Sequence, residues 1–554
     1  MRILTAAHMQ QVDRETTARY GLPSLLLMEN AGSGVVREME RHFGSLDGMR
    51  VLVVCGKGNN GGDGLVLARQ LHLRKLSIQV LLMTASGRLK GDAFTNLEIA
   101  QKMGVPIQWV SEKENWQEIL KGWLNPTRID IVVDALLGTG VRLPLTGFMA
   151  GVIRSLSQFP RIVAIDLPSG LDCDLIGTMS SEMMAPMAEL TVTFTSPKPA
   201  HVFFPAAMFS QKWTVVPIGT PHELVEASRS WLNYVTLKEA GKTLQRFVRR
   251  SDAHKGHFGH VLGIAGSLGK TGAACMMAQS ALSSGAGLVT LAVPSPCQPI
   301  VAGQLLEVMT ESLSSNESGG LSTRAFEYSR LEGLLQGKTV VALGPGLGAD
   351  TETVEFVKYF LQECKLPVVL DADGINAVEG ACELIGRRDS FLVLTPHPGE
   401  FARLLGIPTR TLLNNRIKLA RDFAIKWKVY LILKGQQTIL AAPSGEVYLN
   451  STGNPGMATG GSGDVLTGIV AGMIAQWLSM PDTRDSIVAQ DLEAVITMAI
   501  LIHGLSGDLA REVRGEQALI ASDLMTFMAK ALLRARDSVA VQRPLLSPLS
   551  VDSR

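Results

Sequence analysis

The stretch Gly56–Gly64 reads GKGNNGGDG and directly follows RVLVVC (Arg50–Cys55), a run rich in β-branched residues. A helix-like stretch, Leu65–Arg74, comes next. Strand, glycine loop and helix together predict the first βα unit of an α/β domain with a parallel sheet, in which ligands bind at the carboxyl ends of the strands. The first six loop residues also match G-x-G-x-x-G, the pattern of dinucleotide-binding loops.

Three polar side chains set this loop apart from an ordinary dinucleotide site. They belong to Asn59, Asn60 and Asp63, where a pyrophosphate cradle would use bare backbone. The next strand, SIQVLLMT, runs into Ala85 and Ser86 with no acidic residue to bind ribose hydroxyls. Amide and carboxylate oxygens suit hydroxyl groups, an amide or a hard cation. We favour that interpretation over a loop in which Asn and Gly only make a tight turn.

Two later strands also end in polar residues. IDIVVDALLG supplies Asp134 and leads into Gly138–Gly140, a loop of backbone donors, and RIVAIDLPSG supplies Asp166 and Ser169. Because the carboxyl ends of parallel strands lie side by side, we expect Asn60, Asp134 and Ser169 to surround a monovalent cation and Asp166 to be an acid–base group. Each Asp alone is better explained as a helix N-cap, but their occurrence at successive strand ends favours a shared site.

A second series of apolar runs begins after Asp252 and reads GHVLGIAGS, GLVTLAVP, TVVALGPGLG, LPVVLDADG, SFLVLTPHPGE and VYLILKG. Between the two series, residues 217–250 contain no run typical of a buried strand. The sequence therefore predicts two α/β domains, 1–225 and 226–540, followed by a flexible tail, 541–554.

The second series contains a candidate phosphate site. GSLGKTGA is a glycine-rich turn, but its spacing does not match a P-loop. The stronger signal is GGSGD (Gly460–Asp464) before an apolar helix, because backbone N–H groups at a helix N-terminus bind anions and Asp464 can take a proton during phosphoryl transfer. LKGQQT, upstream, suits a nucleotide contact. His397, in TPHPGE, is a ligand candidate, although alone it is better explained as a turn residue between prolines.

Together, GKGNNGGDG, DALLGTGVR and DLPSGLD resemble the NAD(P)H-hydrate epimerase domain, over about Leu4–Pro217. The resemblance implies a Rossmann-like fold that interconverts the R and S forms of NADH or NADPH hydrated on the nicotinamide ring. It implies potassium bound by Asn60, Asp134 and Ser169, and contact of Asp166 with the reacting ring; Lys198, in TSPKPA, fits the family pattern without an assigned role. The hydrate-binding residues that it implies are Asn59, Asn60, Gly61, Gly62, Asp63, Gly138, Thr139, Gly140, Val141, Arg142, Leu143, Pro144 and Asp166.

In the second half, GSLGKTGA, ALGPGLG, LTPHPGEFARL, LKGQQT, NPGMATGGSGD and HGLSGD occur in the order found in the NAD(P)H-hydrate dehydratase domain, which they closely resemble over about Leu237–Leu533. The resemblance implies a ribokinase-like fold that phosphorylates the hydroxyl of the S hydrate with ADP or ATP, beside Mg²⁺, and then eliminates phosphate. Asp464 would be the base. The hydrate would contact Ala273, Gly346, Gly348, His397 and Asp464, and the nucleotide would contact Lys434, Gly435, Gln436, Gln437, Thr438 and Gly463.

The overall composition narrows the partners and the location. The 52 basic and 51 acidic residues leave a net charge of +1, which gives no basic field for nucleic acid or for an anionic membrane. The six cysteines form no CxxC pair, and the N-terminus contains no secretory signal. We therefore expect a cytoplasmic protein that binds small molecules and neither nucleic acid nor membrane. The resemblance also implies a homo-oligomer, although no coiled-coil seam is visible.

Two other functions fit parts of the sequence. The GSGD loop and LKGQQT fit a small-molecule kinase, such as a vitamin-precursor kinase, equally well. The N-terminal half also fits a binding module without catalytic activity. We favour the bifunctional repair enzyme because both halves point to one substrate.

Overall fold

The computed structural model describes residues 1–111, 116–123, 129–141, 143–179, 183–386, 388–481 and 489–539. Arg142 and the predicted tail, 541–554, lie outside these ranges. Contacts within the chain divide it into two units, of which the first is Met1–Leu232 and the second begins at Asn233.

The described part of the first unit forms a seven-stranded parallel sheet in the order β3-β2-β1-β4-β5-β6-β7. Its strands are β1 (Arg50–Cys55), β2 (Ser77–Leu82), β3 (Ile107–Trp109), β4 (Ile131–Ala135), β5 (Ile162–Ile165), β6 (Leu190–Phe194) and β7 (Trp213–Val216). Its helices are α1 (Ala6–Tyr20), α2 (Ser24–Phe43), α3 (Asn59–Leu73), α4 (Gly91–Lys102), α5 (Trp116–Trp123), α6 (Gly147–Leu156), α7 (Pro199–Val202) and α8 (His222–Glu226).

Alternation along β1 gives this sheet a core on each face. Val51, Val53 and Cys55 pack with apolar residues of α2, α3 and α4. Leu52 and Val54 point the other way and pack with residues of α6. Since successive side chains of a strand point to opposite faces, a continuous apolar run such as RVLVVC is what a sheet covered by helices on both sides requires. The strand order reverses direction beside β1, which places the ends of β1 and β4 next to each other.

The second unit, in its described part, is built on a ten-stranded sheet in the order β11-β10-β9-β12-β13-β14-β15-β16-β17-β8. The strands from β11 to β15 are parallel, and β15, β16 and β17 pair antiparallel. They are β8 (Leu232–Tyr234), β9 (His260–Ile264), β10 (Leu288–Pro294), β11 (Met309–Leu313), β12 (Val340–Leu343), β13 (Val368–Leu370), β14 (Leu392–Leu394), β15 (Tyr430–Leu433), β16 (Ile439–Ala441) and β17 (Val447–Leu449).

Helices cover this second sheet. They are α9 (Leu237–Leu244), α10 (Thr271–Ser283), α11 (Gln298–Ala302), α12 (Arg330–Leu335), α13 (Thr351–Glu363), α14 (Asp373–Ala377), α15 (Glu383–Gly386), α16 (Pro398–Leu405), α17 (Thr409–Trp427), α18 (Ser462–Leu478), α19 (Ala489–Arg514) and α20 (Ala521–Asp537). The largest core of the unit joins α10, α18, α19 and α20 to the strands. Both halves of the chain therefore have the α/β architecture that the apolar runs predict.

Small residues let α10 and α18 pack with their backbones close together. A Cβ atom at Gly468 would lie 2.0 Å from Ser280 Oγ, and one at Gly472 would lie 2.1 Å from Ser284 Oγ. Such contacts leave no room for any larger side chain at these two glycines of α18. The pairing fixes where α18 begins, and its N-terminus carries the GSGD residues.

One helix among the described residues, Gln490–Arg514 within α19, is long and apolar enough to span a membrane by length and hydropathy alone. However, 83% of its most apolar window is buried inside the protein. Burial of this kind is typical of a core helix, since its apolar residues pack against α18 and α20.

Candidate active sites in the two units

The glycines of the opening stretch bring helix α3 against the strand ends. The helix begins at Asn59, so the NNGGD residues form its first turn, whereas the sequence predicted a helix from Leu65. A Cβ atom at Gly56 would lie 2.0 Å from the Leu136 carbonyl oxygen, and one at Gly61 would lie 1.9 Å from the Gly56 carbonyl oxygen. Close approach of the backbone, more than a left-handed conformation, is why glycine is needed at both positions.

The three residues predicted to hold a monovalent cation come together around the backbone of Leu137. Asn60 Nδ2 donates to the Leu137 carbonyl oxygen at 3.1 Å, and the Leu137 N–H donates to Ser169 Oγ at 2.9 Å. Ser169 Oγ donates in turn to Asp134 Oδ1 at 2.6 Å, while its N–H donates to Asp134 Oδ2 at 2.8 Å. All three side chains are buried, and Asn60 Oδ1 has no hydrogen-bond partner. Burial raises the pKa of Asp134 to about 6 against the opposing effect of these hydrogen bonds.

Asp166 lies at the end of β5 in a left-handed conformation, with φ of 64°. Its Oδ1 accepts hydrogen bonds from Lys198 Nζ at 2.6 Å and from Thr193 Oγ1 at 2.9 Å. Lys198 is only 2% exposed, so this is a buried ion pair. Burial alone would raise the pKa of Asp166, but the charge and hydrogen bond of Lys198 outweigh burial and hold that pKa below its usual value. Asp166 is therefore ionised at neutral pH.

A neutral histidine fixes the backbone of this pair. His201 Nδ1 accepts from the Lys198 N–H at 2.9 Å, so its Nε2 carries the proton that is donated to the Asp166 carbonyl oxygen at 2.7 Å. Burial, followed by the charge of Lys198, lowers the pKa of His201 to about 4. His201 thus ties the loop before α7 to the strained end of β5.

A cavity of about 870 Å³ opens beside these groups, within the usual size range of small-molecule sites. Gly138 separates the two polar clusters, because a Cβ atom there would lie 3.5 Å from both Asn60 Cγ and Asp166 Oδ2. Gly61 and Gly62 are packed inside α3 and, like Leu143 and Pro144, are not among the residues lining the cavity; Arg142 lies outside the described residues. The predicted hydrate-binding residues that line it are Asn59, Asn60, Asp63, Gly138, Thr139, Gly140, Val141 and Asp166.

The structure adds information on two lining residues, one whose role the sequence left open and one that the sequence interpretation missed. Lys198 is the ion-pair partner of Asp166 and had no assigned role. Asp13 lies on α1 between the buried residues Met9, Val12 and Thr16, and its carboxyl group faces the cavity. A charged residue spaced as part of the apolar face of a helix is the signal that could have identified Asp13.

In the second unit, the GSGD residues form the N-terminus of α18. Gly461 precedes the helix with φ of 94°, and the helix begins at Ser462, so Gly463 and Asp464 belong to its first turn. His503 Nε2 donates to the Ser462 carbonyl oxygen at 2.9 Å, and burial lowers the pKa of His503 to about 4, so that ring is neutral. The first N–H groups of α18 are thus presented at a fixed position, as an anion site requires.

A buried aspartate connects the LKGQQT loop to helix α18. Asp371, which follows β13, accepts from Lys434 Nζ at 2.7 Å through Oδ1 and from Thr467 Oγ1 at 2.7 Å through Oδ2. A Cβ atom at Gly463 would lie 3.0 Å from Lys434 Nζ, so the ammonium group stands beside the start of α18. The sequence interpretation missed Asp371, although LDADG carries the same strand-end signal as Asp134.

Asp464 has the character of a base that works near neutral pH. Burial raises its pKa to about 7, and the neighbouring charge of Asp371 adds to the rise while Lys434 opposes it. A carboxyl group poised at that value changes protonation readily during a reaction.

The remaining predicted nucleotide residues form a hairpin loop between β15 and β16. Gly435 and Gln437 have positive φ values of 138° and 56°, and the Gln436 carbonyl oxygen accepts from Arg416 at 2.7 Å. Thr438 Oγ1 donates to the Gly435 carbonyl oxygen at 3.4 Å. The Lys434 N–H also donates to the Pro396 carbonyl oxygen at 2.9 Å, which connects this loop to the segment that begins α16.

Three of the predicted hydrate residues lie close together near the start of α10. A Cβ atom at Gly346 would lie 3.2 Å from Ala273 Cβ, and the Gly348 N–H donates to Asp373 Oδ2 at 2.8 Å. His397 is the N-cap of α16: its Nδ1 accepts from the Gly399 and Glu400 N–H groups, so the ring has the capping role that a turn residue would have. Its Nε2 lies within 3.5 Å of Glu400.

Comparison with known proteins assigns the family. Residues 24–200 match the family described as YjeF-related protein N-terminus, and residues 261–529 match the family described as NAD(P)H-hydrate dehydratase. The bifunctional NAD(P)H-hydrate repair enzyme Nnr of Moorella thermoacetica is 41% identical over 97% of this chain and 98% of that protein. Its counterpart in Thermofilum pendens is 35% identical over 97% of both chains.

Among solved structures, the ADP/ATP-dependent NAD(P)H-hydrate dehydratase of Bacillus subtilis, co-crystallised with ATP and Mg²⁺, covers 55% of this chain and 98% of its own at 27% identity, with a TM-score of 0.44. The predicted fold class, a Rossmann-like domain followed by a ribokinase-like domain, is confirmed by the two sheets and the two family matches. The chain belongs to the family of bifunctional NAD(P)H-hydrate repair enzymes.

Proposed function

We propose that the first unit epimerises the R and S hydrates of NADH and NADPH, and that the second unit dehydrates the S hydrate at the expense of ADP or ATP. The observation that carries this proposal is the presence of a separate acid–base site in each unit. Asp166 is held ionised by Lys198 beside the cavity of the first unit, and Asp464 has a pKa of about 7 at the N-terminus of α18 in the second.

In the first unit, the hydrate binds in the cavity beside the two polar clusters that Gly138 separates. The N-terminus of α3 attracts the phosphates of the nucleotide, because its free N–H groups and helix dipole favour anions. The carboxylate of Asp166 contacts the hydrated ring and exchanges a proton with the hydroxyl group or the water that replaces it. Lys198 keeps that carboxylate charged and fixed in one orientation.

Asn60, Asp134 and Ser169 suit a potassium ion. Asn60 Oδ1 is buried without a partner, and the neighbouring donor set consists of carboxylate, hydroxyl and carbonyl oxygens, which hard cations prefer. A cation there would supply positive charge that balances Asp134 and fixes the loop between β4 and Gly138.

In the second unit, Asp464 takes the proton of the hydrate's hydroxyl group as its oxygen attacks the terminal phosphorus of the nucleotide. The N–H groups that begin α18 stabilise the charge on the transferring phosphoryl group, and Lys434 lies beside them. The phosphate ester then loses phosphate, and a proton leaves the adjacent ring carbon, which restores the ring double bond. Phosphorylation converts a poor leaving group into a good one.

Magnesium is expected beside the nucleotide phosphates of the second unit. Within the described ranges, no three His, Cys, Asp or Glu side chains are grouped to hold one metal ion. Mg²⁺ at phosphate sites keeps several waters and phosphate oxygens as ligands, so a protein cage is not required.

Location and assembly form a further part of the proposal: a cytoplasmic homo-oligomer that binds neither nucleic acid nor membrane. Its six free cysteines and balanced charge support a reducing compartment and small-molecule substrates. Sedimentation of the purified protein and fractionation of cells test these two points.

The proposed function is tested by following each activity alone. With the S hydrate, ADP and Mg²⁺, we expect dihydronicotinamide, AMP and orthophosphate to form in equal amounts. With the R hydrate and no nucleotide, we expect conversion to a mixture of both forms, resolved by chromatography.

Variants separate the two activities. Asp464→Asn should abolish dehydration of the S hydrate and leave interconversion intact. Asp166→Asn should abolish interconversion and leave dehydration intact. A stable phosphorylated product from the first reaction would show a simple kinase and contradict the proposal.

A further inference from the structure

Asp13 is a carboxyl group that the two proposed activities leave without a role. It lies on α1, outside the residues 24–200 that match the N-terminal family, and its side chain lines the same cavity as Asp166. Asp13 Oδ1 is shielded from solvent and has no hydrogen-bond partner. An unpaired buried carboxylate oxygen is costly, so a structural role does not explain the presence of Asp13 at this position.

The ionised groups around the cavity do not balance Asp13. Lys198 Nζ has three protons, and it donates to Asp166 at 2.6 Å, to Thr193 Oγ1 at 2.7 Å and to the Phe194 carbonyl oxygen at 3.3 Å. No donor of Lys198 is left for Asp13 or for Asp63, the other carboxyl group in this part of the cavity. The other charged residues that line the cavity are Lys57, Arg88 and Asp92, of which Lys57 and Arg88 are exposed.

Two carboxyl groups in different protonation states suit an epimerisation. One group must give a proton to the departing hydroxyl, and another must take a proton from the water that adds. Asp166 is fixed in the ionised state by Lys198, and it therefore suits the second task. The first task needs a carboxyl group that is free of any permanent cation, faces the cavity and is able to hold a proton.

We propose that Asp13 is the second catalytic acid–base group of the first unit and works with Asp166, an inference that rests on the proposed epimerase activity. The carboxylic acid of Asp13 donates its proton to the hydroxyl group of the hydrate, and the C–O bond breaks with its electron pair leaving as water. The ring nitrogen's lone pair stabilises the resulting cation. Water then adds to the other face of that carbon, and its surplus proton passes to Asp166. Exchange of protons with solvent resets both groups.

The electrostatic surroundings of the two carboxyl groups agree with these roles. Burial raises the pKa of Asp13 to about 6, with Lys198 opposing and Asp166 adding to the rise. Burial, and then the charge of Asp166, raise the pKa of Asp63 well above its usual value, so its surroundings favour the neutral form. Asp13 is thus the carboxyl group whose proton can be given up and regained near neutral pH, whereas Asp166 stays charged.

The inference is tested with Asp13→Asn, an isosteric change that removes the exchangeable proton. We expect R-to-S interconversion to slow by at least about 100-fold, the lower limit of a general acid's usual contribution. In the wild type, the interconversion rate should fall about tenfold per pH unit above Asp13's pKa of about 6, and in Asp13→Asn this dependence should disappear. Asp13→Glu, which retains a carboxyl group, should recover part of the rate and the pH dependence.

Three controls make the outcome decisive. Glu15→Gln changes a carboxyl group on the same helix that pairs with Gln11 and Arg19, and it should leave interconversion unchanged. Dehydration of the S hydrate by each variant should match the wild type, which shows that the second unit is folded. Thermal unfolding of each variant checks that the first unit is folded as well. If Asp13→Asn interconverts the hydrates with the wild-type rate and pH profile, the role of Asp13 is overturned and the epimerase function of the first unit stands. If the wild-type protein equilibrates the hydrates no faster than buffer, both the epimerase function and the role of Asp13 are overturned.

Discussion

The pairing of Lys198 with Asp166 is the contact on which the first site most depends. Lys198 is buried, whereas the Asp166 side chain keeps 13% of its surface exposed. All three N–H groups of the ammonium group donate to atoms of the protein. A buried pair of this kind is not itself a strong source of stability, but removing one partner leaves a buried charge without compensation. The pair matters here because it holds the Asp166 carboxylate ionised at the end of β5, where Asp166 has a left-handed backbone conformation.

Lys198→Met is expected to lower the free energy of unfolding of the first unit by about 3–5 kcal/mol and to abolish interconversion. With the ammonium group gone, burial dominates and the pKa of Asp166 rises above its usual value. Thermal unfolding and the R-to-S rate measure the two effects. Lys212→Met, a change at the exposed lysine beside His42, is the control and should leave both unchanged. Wild-type interconversion in Lys198→Met would refute the role of the pair.

Dehydration should depend on pH through Asp464. Because burial and then Asp371 raise its pKa to about 7, and because a base must be ionised, the rate should fall about tenfold per pH unit below that value and level off above it. Phosphate release from the S hydrate, measured at saturating nucleotide, checks the profile. Asp464→Asn should release no phosphate at any pH in this range; a wild-type rate that is constant from pH 5 to 8 would exclude Asp464 as the base.

Residues at strand ends were largely predictable, whereas partners from distant segments were not. Asp134, Asp166 and Ser169 follow apolar runs directly, and parallel strands bring such positions to one edge. Lys198 and Lys434 complete ion pairs with aspartates 32 and 63 positions away, and no local pattern reports such pairing. Asp13 was missed because α1 precedes the first strand, and the motifs that identify the site all follow strands; its place among Met9, Val12 and Thr16 was the only local signal.

At the scale of elements, glycines decide how closely helices approach the strands and one another. The sequence showed that glycines surround Asn59 and Asn60, but it predicted a loop there, whereas the helix begins at Asn59. The reason is packing: Gly56 and Gly61 let the first turn of α3 lie against the backbone after β4. Local turn propensity favoured a loop, and the tertiary contact favoured the helix.

Gly468→Val should destabilise the second unit and reduce dehydration while interconversion continues. A Cβ atom there would lie 2.0 Å from Ser280 Oγ and 2.1 Å from the Met277 carbonyl oxygen, so α10 and α18 must separate, at a cost of about 1–3 kcal/mol or more. Denaturant unfolding and the two activity assays check this. Gly333→Ala, where an added Cβ atom meets nothing within 4 Å, is the matched control. Unchanged stability in Gly468→Val would mean that this helix pair is not closely packed.

Potassium should stabilise the start of α3 and the loop after β4. In KCl, compared with choline chloride at equal ionic strength, we expect the melting temperature of the first unit to rise by about 2–4 °C for each ~1 kcal/mol of binding free energy. Asn60→Ala should remove this effect because it deletes the unpartnered Oδ1, and Asn59→Ala, at the exposed neighbouring position, should retain it. Equal melting temperatures in both salts would count against a potassium site.

At the scale of the whole molecule, the α/β class of both halves followed from the apolar runs, since each run became a parallel strand. The antiparallel extension β15-β16-β17 was not predicted, because short strands joined by a turn carry little periodicity. The Rossmann-like and ribokinase-like folds were predicted from motif resemblance. The order of the motifs along the chain supported that prediction, whereas composition indicated only a globular protein.

The central claim is that the two units act in sequence on one damaged cofactor. Pure R hydrate, supplied with ADP and Mg²⁺, tests this most directly, because its recovery needs both sites. Wild-type protein should restore the absorbance of the reduced cofactor completely, Asp464→Asn should restore none, and Asp166→Asn should restore it only at the rate of spontaneous epimerisation. Recovery by Asp166→Asn at the wild-type rate would contradict the account, because the second unit would then accept the R hydrate without help from the first.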